Sequence, residues 1–159
     1  MPREIVQAAQ GPFERSFSLL MEYMDVCPED IWVEKNGGWP VWQQIAHIFW
    51  VLDFFVCGDG ESMLPAPFDT DVARFKAQGD AVVGKDAIRK YAVAVKSRVD
   101  AWLARLTDAG LSGTNAALSK KIGRDLSHAA TVVMLASHTG YHLGSCDAAL
   151  RDHGLAGVF

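Results

Sequence analysis

The sequence predicts an all-α protein, a four-helix bundle with long connecting loops, and three observations carry that expectation. Four segments repeat apolar residues at helical spacing, no stretch alternates apolar and polar residues strongly enough to mark a strand, and proline or glycine punctuates most segment ends. At 159 residues with 50% apolar content, the chain can bury one sizeable core but not two. One domain over residues 1–159 is expected.

The first segment spans 12–26, where Phe13, Phe17, Leu20 and Met24 fall at i, i+4, i+7 and i+11. Pro12 suits a first helical position, and Cys27-Pro28 mark the stop. The second runs from Pro40 to Cys57 and ends at Gly58; it is apolar on nearly every side and should be the most buried helix. Its polar exceptions are Gln43, Gln44, His47 and Asp53. The third covers 85 to about 109, with Ile88, Ala92, Val95, Val99, Trp102 and Leu106 at helical spacing and Gly110 at its end. The fourth covers about 125 to 152 and closes at Gly154, with Met134, His138, Tyr141, Ser145 and Ala149 read as one core-facing stripe. Residues 58–84 form the longest connection, with a short helix expected over 71–78 and a role as pocket wall or lid, or else as a plain surface loop.

Composition excludes several function classes. Fifteen basic residues against nineteen acidic ones leave a net charge of −4, with no cationic cluster beyond Lys120-Lys121, so nucleic acid is not an expected partner. The start, MPREIVQAAQ, lacks the apolar run of a secretory leader and reads as mature sequence. The apolar stretch 39–52 falls short of the ~20 residues a membrane span requires. Three widely spaced cysteines, Cys27, Cys57 and Cys146, form neither a disulfide framework nor a C-x-x-C pair and suit a reducing cytoplasm.

The histidines are the chemical signal. His138 and His142, in SHTGYHLGS, are one helical turn apart and can converge on one ion, although an H-x-x-x-H pair does not require one. His47 sits in the middle of the most apolar segment, where an unpartnered imidazole would lose its hydrogen bonds to water. Either a carbonyl or side chain satisfies it within the core, or it joins the pair in a three-nitrogen site for zinc or a related divalent metal. His128 and His153 lie too far along the fourth segment to join. H-T-G-Y-H also lacks the glutamate of H-E-x-x-H, which argues against a metalloprotease.

IAHIFWVLDFF around His47, together with SHTGYHLGSCDAALRDHG, resembles the DinB family of metal-binding four-helix bundles along almost the whole chain. The resemblance implies up-down-down-up connectivity and a metal site made of His47, His138 and His142. Ser145 departs from the family, which frequently carries glutamine there. The family includes thiol-dependent S-transferases and isomerases, so the resemblance leaves the reaction open.

Three neutral ligands would leave the ion's charge uncompensated and a position open, as in catalytic sites. The leading functional reading is a transferase or isomerase that activates a low-molecular-weight thiol on zinc or nickel, acting on a small-molecule substrate; a metal-dependent hydrolase and a non-catalytic metal-binding bundle are the alternatives. Glu22, Tyr141 and Asp147 are candidates to surround the site, and Trp42 and Trp50 to line a pocket beside His47. Asp53 projects from another side of its helix. Cys146 reads as a buried structural thiol. A homodimer is expected from the apolar richness of the helices.

Overall fold

The computed structural model describes residues 1–159. The chain runs through α1 (Glu4–Val26), α2 (Glu29–Val33), a hairpin of β1 (Lys35–Asn36) and β2 (Trp39–Pro40), α3 (Val41–Val56), α4 (Thr70–Ala73), α5 (Lys85–Ala104), α6 (Ala116–Ile122) and α7 (His128–Asp152). The four long helices build the bundle, with α1 against α7 and α3 between α5 and α7. Their apolar faces meet in one continuous core that includes Phe13, Tyr23, Trp32, Phe49 and Leu103. At one end Arg3 donates to the carbonyls of Leu103 and Leu106, both at 2.9 Å, and at the other Arg89 pairs with Asp25. These contacts register α1 and α5 antiparallel.

Several boundaries differ from the sequence expectation, each for a local reason. Helix α1 begins at Glu4 and carries Pro12 inside it. The apolar stripe continues back to the fully buried Val6, whose N–H donates to Asp108 at 3.0 Å, and this anchoring offsets the backbone hydrogen bond that proline removes. Helix α5 stops at Ala104, and Thr107 then caps a 3-10 turn over Asp108–Gly110. Helix α7 starts at His128 because the Ser127 hydroxyl accepts from the Ala130 N–H. Helix α6, absent from the sequence reading, is capped by Asn115 and closed by Gly123 at φ 77°; its seven residues are too few to show a period. The helix expected over 71–78 shrinks to α4, capped by Asp69, because the chain turns sharply at Phe75, φ 57°. The unexpected strands have two residues each, too short to alternate visibly. Gly37 and Gly38 join them with φ of 62° and 93°, the positive pair a tight two-residue hairpin requires.

Helix α3 is the buried centre of the bundle, and only His47, Trp50 and Phe54 on it are less than fully buried. Each of its polar residues fastens one of the connections between the long helices. Gln43 donates to the carbonyls of Val72 and Ala77, both at 2.8 Å. Gln44 donates to those of Asn36 and Trp39, holding the hairpin. Asp53, with a side chain wholly removed from solvent, accepts from Arg98 at 2.8 Å and from the Leu64 N–H at 2.7 Å. No helix is long and apolar enough to cross a membrane.

Candidate metal centre

Helices α3 and α7 pack directly, and the hairpin ties them together where Asn36 donates to the Ser145 carbonyl. That packing brings His47, His138 and His142 to one place: one ring nitrogen from each lies within 4.8 Å of the others, and all three residues are half-buried. The ring centroids are 4.7–5.0 Å apart. The stripe assigned to α7 needs correction. Its buried line is Val132, Leu135, Thr139, Leu143, Cys146 and Leu150, while the two histidines flank that line toward α3 and Tyr141, 76% exposed, stands on the outside.

The reading of His47 as a histidine satisfied by a carbonyl holds, and it leaves the second ring nitrogen free. Its Nδ1–H donates to the Ala73 carbonyl at 2.6 Å, and its Nε2 faces the Nε2 of His138 at 3.1 Å. With Nδ1 protonated, His47 Nε2 presents a lone pair to the space among the three rings. A backbone carbonyl that fixes the tautomer in this way commonly accompanies a metal-ligating histidine. Two imidazole nitrogens bound to one ion at ~2.0–2.1 Å sit about 3 Å apart, so the 3.1 Å separation suits a shared cation. The Nδ1 of His138 is buried without a hydrogen-bond partner. The three residues can therefore hold a divalent ion, and a donor set of neutral nitrogens suits a transition metal rather than magnesium or calcium.

Electrostatics point the same way. Burial pushes the His138 pKa down to about 3 and the His142 pKa to about 4, with repulsion from the neighbouring rings adding to both, and burial lowers that of His47 as well. The triad is neutral at pH 7, as ligands must be. Because these pKa values lie below the unfolded value of about 6.5, the stability attached to the neutral rings is fully present above that pH and is lost as the pH falls towards 4 and 3. Chelated protein is therefore expected to be less stable at pH 5 than at pH 7, by up to about 2 kcal/mol for each of His138 and His142, less where solvent screens the partly exposed His142. Urea denaturation at the two pH values measures this, and a His138→Leu,His142→Leu variant should show a shallower dependence.

The long connection closes over the triad. The Phe75 ring stacks on His47 with centroids 4.2 Å apart, and Trp39 of the hairpin stacks on the far side of Phe75 at 5.0 Å. A bulky residue at positive φ is uncommon and costs about 1 kcal/mol or more; here two aromatic faces hold it. Phe55 meets the edge of His138. None of Ala73, Phe75, Trp39 and Phe55 was assigned to the site from sequence. A backbone carbonyl leaves no sequence signal, and only the Asn-Gly-Gly turn before Trp39 hinted at the hairpin.

The other sequence candidates lie elsewhere or serve the fold. Glu22 is exposed on α1. Tyr141 meets His142 edge-on at 5.0 Å. Asp147 binds Arg151 and the Val158 N–H, fastening the C-terminal tail. Trp42 packs beneath Gly79, where an added Cβ would meet the indole at 2.6 Å, and Trp50 stacks on Phe54. Cys146 is fully buried, which raises its thiol pKa strongly. Ser145 faces the hairpin at Gly37. His128 lies against Trp102, and His153 pairs with Glu34.

The family model described as the DinB superfamily matches residues 13–146, a span that contains all three histidines. No curated protein and no solved structure matches the chain.

Proposed function

Because the chain belongs to the DinB superfamily, we propose that His47, His138 and His142 ligate one zinc or nickel ion and that the site activates a small thiol for transfer or isomerisation of a small-molecule substrate. The observation that carries this reading is the convergence of three neutral imidazoles, one of them locked by the Ala73 carbonyl, with no carboxylate in the group. When bound, the ion supplies a Lewis acid whose full charge favours a thiolate at neutral pH. The residues of the chain supply the rest. Ala73 fixes the tautomer of His47, Phe75 and Phe55 exclude water from two sides of the ring cluster, and burial keeps all three rings unprotonated.

Thiol is favoured over water because the group contains no acidic residue to take a proton from water. The reading includes a reducing cytoplasm, which suits three free cysteines. It also includes a homodimer through the outer face of α7, where Val133, Ser137, Tyr141, Gly144 and Ala148 are exposed and uncharged. Metal analysis of protein purified without an affinity tag, followed by thiol-consumption assays with a panel of electrophiles, tests the proposal. The expected result is about one zinc or nickel per chain and metal-dependent loss of glutathione, bacillithiol or mycothiol. Hydrolysis of an ester or amide without thiol consumption would favour the hydrolase, and a bound metal with neither activity would favour a non-catalytic bundle.

A further inference from the structure

The incompletely buried stripe of α3 continues beyond His47. His47, Trp50 and Phe54 are spaced i, i+3 and i+7, so they lie along one side of the helix. Trp50 and Phe54 stack with centroids 5.5 Å apart and planes 18° from parallel, forming the floor of a groove of ≈ 460 Å³ whose walls include Met63, Glu61, Lys121 and Arg74. Volumes of this order hold small molecules.

The charges in the groove are not equivalent. Lys121 donates to the carbonyls of Phe54 and Cys57, at 3.0 and 2.6 Å, and lies over the Phe54 ring. Glu61 accepts from the Gly58 N–H at 3.0 Å. Arg74 is exposed and enters no ion pair. Its place is set by its neighbours: Ala73 accepts from His47, and Phe75 stacks on the same ring. Arg74 thus lines the groove with Trp50 and Phe54 and enters no ion pair, and the groove adjoins the histidine cluster through residues 73–75 of the chain and through the turn of α3 from His47 to Trp50. A second cavity of similar size, whose lining includes Trp42, Asp69, Asp71 and Asp80, is acidic and would repel an anion.

We infer that this groove receives the substrate of the metal centre and that the substrate carries a carboxylate on a flat apolar body, the body lying on Trp50 and Phe54 and the carboxylate paired with Arg74. The function of the groove rests on the metal-centre reading above; its binding preference does not. A planar guanidinium matches a carboxylate in two parallel hydrogen bonds, and aromatic stacking orients the remainder.

The test is equilibrium binding of 2-naphthylacetate and its neutral counterpart 2-naphthylacetamide to full-length protein, both zinc-loaded and chelated. The acid is expected to bind about fivefold tighter than the amide, in chelated as well as loaded protein. Arg74→Gln should remove that preference with the amide affinity unchanged. Trp50→Leu, with its fold checked by circular dichroism, should weaken both ligands about fivefold. Equal affinities of acid and amide for the wild type would overturn the inference, as would a preference that survives Arg74→Gln or one that disappears on chelation, which would place the carboxylate on the ion. Unchanged binding in Trp50→Leu would exclude this floor. Failure of the protein to retain metal would count against the proposed function and leave the binding result standing.

Discussion

His138→Leu is expected to lower zinc and nickel affinity by more than about a hundredfold, since loss of an outer hydrogen-bond partner alone costs about 10–100-fold, while leaving the metal-free protein as stable as the wild type or more so. The His138 Nδ1 is buried without a partner, so the metal-free fold bears the cost of desolvating it. Leucine fills a similar volume without that cost. His47→Leu should lose metal equally but cost the metal-free fold about 1–2 kcal/mol, because the Ala73 carbonyl would lose its donor inside the cover. Competition with a chromogenic chelator gives the affinities, and denaturant melts in excess EDTA give the stabilities. If metal-free His138→Leu is destabilised by more than about 1 kcal/mol, the imidazole serves the fold; unchanged affinity would remove it from the ligand set.

What the sequence disclosed and what it hid follow from the range of the forces involved. The long helices were legible because burial of a continuous face imposes a period, and α3 was legible as the most buried because it has almost no polar side. Its four polar exceptions were legible as exceptions. Their partners were not, since Val72, Ala77, Ala73, Asn36, Trp39 and Leu64 contribute backbone atoms that any residue could supply. The same limit hid the cover of the triad. His47, His138 and His142 stood out by type and spacing, whereas Phe75 reaches His47 only because the chain turns at positive φ, which residue type disfavours. Short α6 and the hairpin are fixed by caps and turns rather than by periodicity. Asn115, Gly123 and Asn36-Gly37-Gly38 were their visible traces. The error at Pro12 has the opposite origin: a strong local signal for a helix start yielded to the packing of Val6.

The largest effect on folding is expected from Arg98→Met, at about 3–5 kcal/mol. Asp53 is an acceptor with no access to water, held by Arg98 from α5 and by the Leu64 N–H at 2.7 Å. Removing the guanidinium leaves a buried charge without its counter-ion, and several kcal/mol is a large share of the 5–15 kcal/mol that typically holds a domain together. The double variant Asp53→Leu,Arg98→Met removes both charges and should recover part of the loss, whereas Lys120→Ala, which breaks an ion pair exposed on both sides, should change stability by under about 0.5 kcal/mol. Urea melts of the four proteins measure these differences, and a cost below about 1 kcal/mol for Arg98→Met would mean that water reaches the carboxylate. The effect should extend to the histidine centre. Asp53 pins Leu64 near the start of the segment that ends in Ala73 and Phe75, so releasing it should loosen the cover on His47 before the bundle itself opens. Hydrogen exchange should then rise first at the amides of residues 64–79 and only later in α3, and exchange that rises in both together would show that the cover and the bundle unfold as one unit.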